Sequence, residues 1–217
     1  MEERLQYHID LLIKRYPVLE ECTEAIINAY DILEKCFSSG HKLLIAGNGG
    51  SCADSEHIVG ELMKSFKLPR RCPNSFAEKL KFIDPIRAEE LVNKLQVGLP
   101  AISLTGHQSL NTAYLNDVSN GGILSFAQQV YGYGKDGDVF LGISTSGNSK
   151  NIINAAIVAK ASGLNVIGLT GEGGGELNNF SDVIIKAPSC ETYMIQELHL
   201  PIYHCLCLML EDKFFGK

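Results

Sequence analysis

The sequence predicts an α/β fold in which five parallel strands form one sheet flanked by helices, a Rossmann-like sandwich of the flavodoxin type. Short apolar runs recur along the chain without polar alternation, which is typical of strands covered on both faces. Helical segments lie between these runs, and this alternation implies right-handed crossovers and a parallel sheet. A length of 217 residues suits a single domain with a full hydrophobic core.

Residues 1–40 are predicted to form the first helices. Apolar side chains recur there at helical spacing between Leu5 and Leu33. Pro17 is expected to separate two helical pieces, because proline cannot continue a helix from the preceding turn. Gly40 follows the second piece and marks its end.

The elements that follow alternate between strand and helix. The predicted strands are residues 42–46, 100–104, 138–143, 165–169 and 182–186. The predicted helices are about residues 52–66, 121–133, 148–161 and 191–213. Pro201 lies inside the last helix, so a lost hydrogen bond and a bend are expected there. Residues 67–99 interrupt the alternation, and their prolines and amphipathic stretch predict an inserted loop with one or two short helices.

Composition excludes several classes of function. The net charge is −6 and the basic residues are scattered, so the surface would repel nucleic acid. No apolar run reaches the roughly 18 to 20 residues that span a bilayer, and the sequence begins without a signal-peptide core. We therefore expect a cytoplasmic protein without a membrane partner. The seven cysteines include no CxxC pair, which favours reduced, mostly buried thiols.

The first predicted strand runs into a glycine-rich turn, Gly47-Asn48-Gly49-Gly50-Ser51, and then into a helix. Glycines permit positive φ angles and let a ligand approach the backbone closely. The start of the helix offers free N–H groups and the positive end of a dipole, which together bind anions. The alternative is a tight strand–helix turn in which Ser51 serves only as the helix N-cap.

A second turn of this kind follows the third predicted strand. It contains four hydroxyl side chains around the start of a helix: Ser144, Thr145, Ser146 and Ser149. One side chain is enough for an N-cap, so four hydroxyls exceed what capping requires. A hydroxyl-lined helix N-terminus can bind a phosphate dianion without Lys or Arg. The pattern therefore predicts a phosphorylated small molecule as the ligand.

An imidazole and a carboxylate share one face of the helix after the glycine turn. His57 and Glu61 are four residues apart, and ligands of such folds bind beyond the carboxyl ends of the strands. In the last helix, Gln196 and His204 are eight residues apart and can face one cavity. The alternatives are an exposed ion pair on the first helix and core histidines in the last.

Asn116 and Asp117 lie in a polar stretch expected to overhang the strand ends. Asp117 could accept a hydrogen bond from a substrate hydroxyl, or it could cap a helix. The sequence leaves both alternatives open.

Together these residues resemble the SIS (sugar isomerase) family and, within it, the phosphoheptose isomerase branch. The resemblance covers about residues 40–66 and 100–210. The segments that carry it are residues 46–51, the pair His57 and Glu61, residues 141–149 and 169–171, and Thr192, Gln196, Glu197, His199 and His204.

The resemblance implies roles for these residues. Glu61 would be the base that moves a proton between C1 and C2, and His204 would be the partner acid/base. The substrate would be bound by Asn48, Gly49, Gly50, Ser51, Glu61, Asn116, Asp117, Ser144, Thr145, Ser146, Ser149, Thr192 and Gln196. In some members a zinc ion is held by the matching set, here His57, Glu61, Gln196 and His204. A homotetramer with active sites at subunit contacts is also implied.

The expected function is therefore aldose–ketose isomerisation of sedoheptulose 7-phosphate. This chemistry needs a base near the substrate carbon and an acid near its carbonyl oxygen. Two alternatives stay open: a non-catalytic SIS regulator that binds a protein partner, and an isomerase of another sugar phosphate.

Overall fold

Five parallel strands form one sheet in the computed structural model, which describes residues 3–216. They are β1 (Leu43–Gly47), β2 (Ala101–Ser103), β3 (Val139–Ile143), β4 (Asn165–Gly171) and β5 (Val183–Ala187). The strand order is β2-β1-β3-β4-β5, and every neighbouring pair is parallel. The order reverses between β1 and β3, where doubly wound folds form a ligand crevice. The predicted fold class is confirmed.

Nine α-helices occur within the described residues. They are α1 (Glu3–Arg15), α2 (Thr23–Ser38), α3 (Gly50–Met63), α4 (Asn74–Ile83), α5 (Ala88–Lys94), α6 (Gln108–Asp117), α7 (Gly121–Tyr133), α8 (Lys150–Ala161) and α9 (Thr192–Phe215). Two short 3-10 helices, Pro17–Cys22 and Glu176–Phe180, complete the set. The first of them separates α1 from α2, as Pro17 predicted.

The core has two halves, one on each face of the sheet. Successive strand residues point to opposite faces, so Leu43 and Ile45 pack with α1, α2, α3 and α9, whereas Leu44 packs with α7 and α8. All five residues of β1 and of β3 are buried. This two-sided burial is why these strands read as continuous apolar runs.

Two local expectations need correction, and a third stays untested. Helix α3 was expected over residues 52–66 but spans Gly50–Met63, because the chain becomes extended at Lys64. Helix α6 was missed, because none of its residues is buried and its polar sequence carries no helical apolar period. Helix α9 runs through Pro201 as one element, and the bend expected there stays a prediction.

The inserted segment forms two short helices, α4 and α5, as expected. Helix α4 has no buried residue. Phe82 near its end is 92% exposed, and Ile86 in the turn before α5 is 88% exposed. The insertion therefore packs loosely beside the rest of the fold.

A buried ion pair joins the segment after α3 to the last helix. The Arg70 guanidinium and the Glu211 carboxylate are almost fully buried, with Arg70 Nη2 2.9 Å from Glu211 Oε1. Glu211 also accepts the backbone N–H groups of residues 66–68. Arg70 donates to the carbonyl oxygens of Glu61 and Leu62 at the end of α3. This network explains why α3 ends early, because the following N–H groups bond to a carboxylate instead of helix carbonyls.

The cysteine side chains are free thiols, several of them with raised pKa values. All seven cysteines are free, and burial raises the pKa of Cys22 to about 11 and that of Cys36 and Cys205 to about 12. Such thiols are unreactive, as expected for buried apolar side chains. Among residues 3–216 no helix combines the length and apolar character that crossing a membrane requires.

Candidate functional site

Two loops meet at the point where the strand order reverses. The glycine-rich turn follows β1, and the hydroxyl-rich turn, residues 144–149, follows β3, the strand paired with β1. Each loop leads into a helix N-terminus, that of α3 or that of α8. Two helix N-termini beside one crevice favour an anionic ligand there.

The glycine turn has no room for larger residues. Gly49 has a φ of +56° and is the N-cap of α3, so Ser51 lies inside the helix and is not the cap. A Cβ on Gly47 would lie 2.3 Å from the carbonyl oxygen of Ser51. The interpretation of Ser51 as a helix cap is therefore wrong, and its side chain, which is 3% exposed, packs inside the loop.

The hydroxyl turn is held by its own hydrogen bonds. The Ser144 hydroxyl donates to the Ser149 hydroxyl at 2.9 Å, and Ser149 makes no side-chain cap for α8. Gly147 has a φ of +66°, and a Cβ there would collide with the carbonyl oxygen of Gly174 at 2.0 Å. The Ser149 side chain therefore leaves the first N–H groups of α8 uncapped, although the N–H of Ile152 donates to Asn151 Oδ1 at 3.0 Å.

A pair of amides ties the two loops together. Asn48 Nδ2 donates to Asn151 Oδ1 at 2.9 Å, and Asn151 Nδ2 donates to Asn48 Oδ1 at 2.8 Å. Asn48 was expected to contact substrate, and in this structure its amide is engaged by Asn151. Sequence reasoning missed Asn151, although its place in the first turn after the hydroxyl run was a usable signal.

Helices α3 and α9 bring the predicted imidazoles and carboxylate together within one subunit. His57 Nε2 lies 3.2 Å from Glu61 Oε1 and 3.5 Å from His204 Nε2. The rings of His57 and His204 meet edge to face, with centroids 5.0 Å apart. The expected convergence of the early helix and the last helix is therefore observed.

Gln196, on the same helix as His204, lies against the glycine turn. A Cβ built on Gly50 would lie 2.6 Å from Gln196 Nε2, so the amide lies directly over the start of α3. The first turns of α9 thus lie against the loop that follows β1. Thr192, at the start of α9, is exposed at the same end of the helix.

Sequence reasoning missed a tyrosine and an aspartate near His57. The tyrosine contacts Nδ1 of the His57 ring, and the aspartate contacts the tyrosine. The Tyr203 hydroxyl lies 3.0 Å from His57 Nδ1 and 3.2 Å from Asp54 Oδ1. Tyr203 directly precedes His204, and Asp54 precedes His57 by three residues, one helical turn. That spacing was a usable signal, but Tyr203 reads equally well as a core residue of an apolar helix.

The electrostatics of the cluster favour a neutral imidazole at His204. Burial lowers the pKa of His204, with the His57 and Arg15 charges as smaller causes and Glu61 acting in the opposite sense. Burial raises the pKa of Asp54, and its hydrogen bond to Tyr203 partly offsets this. Glu61 Oε2 is buried without a hydrogen-bond partner, with the Lys64 ammonium nitrogen 3.6 Å away. A buried carboxylate oxygen with a free lone pair can accept a proton from a ligand.

Asn116 and Asp117 lie at the end of a different helix from the residues of this cluster. They form the exposed C-terminal end of α6, where Asn116 Nδ2 donates to Asp117 Oδ1 at 2.9 Å. The N-cap of the next helix is Asn120, so Asp117 is not a helix cap. No hydrogen bond described for residues 3–216 joins either side chain to the two loops, and their contact with substrate stays a prediction.

His199 is a core residue. It is fully buried, and its Nε2 lies 3.1 Å from the carbonyl oxygen of Thr170 in β4. Burial lowers its pKa to about 4, so it stays neutral in the folded protein. Its role is to hold α9 against the sheet.

His199 is expected to make stability depend on pH. The unfolded chain takes up a proton below about pH 6.5 and the folded chain only near pH 4, so the free energy of unfolding should fall by roughly 3 kcal/mol between these values. Denaturant unfolding across this range checks it. His199→Gln should flatten the slope, whereas the control His107→Gln should keep it. Parallel curves for the wild type and His199→Gln would contradict the assignment.

The predicted zinc ligands fit the chemistry of that ion in part. Imidazole nitrogens and a carboxylate are common zinc ligands, and a tetrahedral site holds ligand atoms about 3.3 to 3.5 Å apart. The separations around His57 Nε2, 3.2 Å and 3.5 Å, are close to these values. However, residues 3–216 contain no group of three or more His, Cys, Asp or Glu side chains arranged around one ion position. The zinc site stays a prediction.

Comparison with known proteins identifies the family. The SIS domain model matches residues 85–171. Phosphoheptose isomerase of Geotalea daltonii is 38% identical over 91% of this chain and 88% of its own length. Phosphoheptose isomerase 2 of Campylobacter jejuni is 38% identical over 95% and 90%. The chain belongs to the phosphoheptose isomerase family. It is therefore a sugar-phosphate isomerase by class.

Solved structures of this family have the same fold. Phosphoheptose isomerase GmhA from Neisseria gonorrhoeae superposes with a TM-score of 0.72 at 30% identity, covering 97% of this chain and 98% of its own. A phosphoheptose isomerase from Francisella tularensis gives 0.74 at 30% identity, with 97% of both chains covered. These structures therefore share the fold over nearly the whole of this chain.

Proposed function

We propose that this phosphoheptose isomerase family member interconverts sedoheptulose 7-phosphate and D-glycero-D-manno-heptose 7-phosphate through an enediol(ate). One observation carries the proposal: Glu61 from α3 and His204 from α9 meet at His57, about two to three turns of α3 beyond the glycine-rich loop. A protein that only binds a sugar phosphate has no need for this pairing of carboxylate and imidazole.

The phosphate is bound by the two loops at the crevice. The N-termini of α3 and α8 supply N–H groups and favourable dipoles, and Ser51, Ser144, Thr145, Ser146 and Ser149 supply hydroxyls. Because Asn48 and Asn151 join the loops, the phosphate meets a preformed site. Gly49 and Gly50 let the ligand approach the backbone.

The chain's own groups supply the proton transfers. The Glu61 carboxylate removes a proton from C1 of the ketose, exchanges it with solvent while the enediol(ate) is bound, and delivers a proton to C2. His204, whose lowered pKa leaves the ring neutral, gives a proton to the C2 oxygen and takes one from the C1 hydroxyl. These transfers balance, because C1 loses a proton and C2 gains one, and one proton moves between the oxygens. Asn116, Asp117, Thr192 and Gln196 are proposed to orient the open-chain sugar.

A zinc ion is a proposed cofactor, held by His57, Glu61, Gln196 and His204. When bound, it would polarise the substrate carbonyl and stabilise negative charge on the adjacent oxygen. We further propose a homotetramer in the cytoplasm. Seven free cysteines support a reducing compartment, and apolar side chains exposed on the insertion offer surface for subunit contacts.

Turnover of sedoheptulose 7-phosphate tests the proposal directly. The purified protein is expected to form the aldose in D2O with solvent deuterium at C2, as followed by NMR with and without added Zn²⁺. Turnover of a different sugar phosphate, without turnover of sedoheptulose 7-phosphate, would favour the alternative of an isomerase that acts on another sugar phosphate. Binding of the phosphate without turnover in either condition would favour the non-catalytic regulator and reject the proposal.

A further inference from the structure

The hydroxyl of Tyr203 lies between the Asp54 carboxylate and the His57 imidazole. The proposed proton transfers do not involve this pair of groups. Tyr203 is 2% exposed, and its oxygen is within hydrogen-bond distance of both Asp54 Oδ1 and His57 Nδ1. The opposite edge of the His57 ring faces Glu61 and His204. Tyr203 therefore contacts His57 through its hydroxyl, and its ring lies edge to face with that of the next residue, His204, at 5.1 Å between centroids. Asp54 reaches the cluster through the Tyr203 hydroxyl.

The number of protons available decides the direction of these hydrogen bonds. A phenol carries one proton, and an ionised carboxylate only accepts. The Tyr203 hydroxyl therefore donates to Asp54, and its oxygen accepts the N–H of His57 Nδ1. A neutral imidazole carries one N–H, so Nε2 of His57 is left with a lone pair.

That lone pair points toward another acceptor. His57 Nε2 is 3.2 Å from Glu61 Oε1, and neither atom carries a proton in this arrangement. Two acceptors at this distance need a positive partner between them, and His204 Nε2, 3.5 Å from His57 Nε2, is placed to donate one. A divalent cation would meet the same two lone pairs.

We propose that Tyr203 and Asp54 are positioning residues that hold His57 as the Nδ1–H tautomer, with the Nε2 lone pair directed at Glu61 and His204. This deepens the proposed function, on which it rests for its importance, because it names the groups that prepare the base and acid/base pair. The tautomer itself is a property of the resting protein. In water the opposite tautomer of histidine is preferred, so the protein must impose this one.

Nitrogen-15 NMR of the imidazoles in metal-free protein tests the assignment. At a pH where the rings are neutral, the His57 signals, identified by their loss in His57→Gln, should show an N–H type shift at Nδ1 and a lone-pair type shift at Nε2. Tyr203→Phe keeps the packing of the ring but removes the hydroxyl. It should move the proton of His57 toward Nε2.

Two further variants make the result decisive. Asp54→Leu removes the acceptor, so the phenol proton is free to bond to Nδ1, and the His57 proton should again move to Nε2. Tyr131→Phe, a tyrosine that is 74% exposed, is the matched control and should leave the His57 shifts unchanged. A wild-type ring protonated at Nε2, or shifts that stay the same in folded Tyr203→Phe and Asp54→Leu, would overturn the proposal.

This test is independent of turnover. A protein with the Nδ1–H tautomer but no isomerase activity would reject the proposed function and leave this inference standing. An active isomerase whose His57 carries its proton on Nε2 would do the reverse.

Discussion

Glu61→Gln is expected to lower kcat for sedoheptulose 7-phosphate by about two to four orders of magnitude, the usual contribution of a positioned general base. The amide has nearly the same shape as the carboxylate but cannot take up the C1 proton. Substrate binding should change little, because the phosphate is proposed to bind to the loops before α3 and α8. Steady-state kinetics and calorimetric binding of the sugar phosphate measure the two effects separately.

A matched control separates loss of the base from loss of a negative charge. Glu90→Gln removes an equivalent carboxylate from α5, where Glu90 is bonded to Lys94 at 2.5 Å on an exposed face. This variant should keep the wild-type kcat. A Glu61→Gln enzyme within a factor of three of wild type would mean that another group abstracts the proton.

Glu211→Ala is expected to destabilise the protein by about 3 to 5 kcal/mol, because it leaves the Arg70 guanidinium buried without its counter-charge. It also removes the acceptor for three backbone N–H groups after α3. Arg70→Met should cost a similar amount, since it strands the Glu211 carboxylate. Urea unfolding gives both values.

The double variant and an exposed pair provide the comparison. Because Arg70 and Glu211 share one network, the double variant should lose less stability than the sum of the two single losses. Arg87→Met breaks the exposed pair with Asp84 and should change the free energy of unfolding by less than about 1 kcal/mol. If Glu211→Ala were as mild as Arg87→Met, the buried pair would not be what holds this region.

The parts of the fold that the sequence predicts are those encoded locally. Two-sided strands read as apolar runs, and the loops after β1 and β3 carry their glycines and hydroxyls in consecutive positions. Periodicity predicted the helices that carry Glu61 and His204, and the pairing of the two residues was implied by the resemblance to the SIS family. Helix α6 was not predicted because it has no apolar face of its own. Contacts with α7, such as the hydrogen bond that Gln129 donates to Asn111, hold it in position.

The missed contacts join residues that are far apart along the chain. Tyr203 and Asp54 are separated by 149 positions, and Arg70 and Glu211 by 141. Only the packing of α9 against α3 brings them together, and no spacing rule covers such distances. The tautomer of His57 and the early end of α3 both follow from these pairs.

Arg70 bonds to the main-chain oxygen of Glu61 itself, as well as to the acid near the end of α9. The backbone of Glu61, the proposed base, is therefore hydrogen-bonded to Arg70, which lies in a segment outside the predicted site residues. Removing the last two turns of α9 would keep every residue that is predicted to contact substrate. It would also remove Glu211, and with it the ion pair that holds Arg70 beside Glu61. Substitutions near the end of α9 are therefore expected to change the position of Glu61 and, through it, the rate of the reaction.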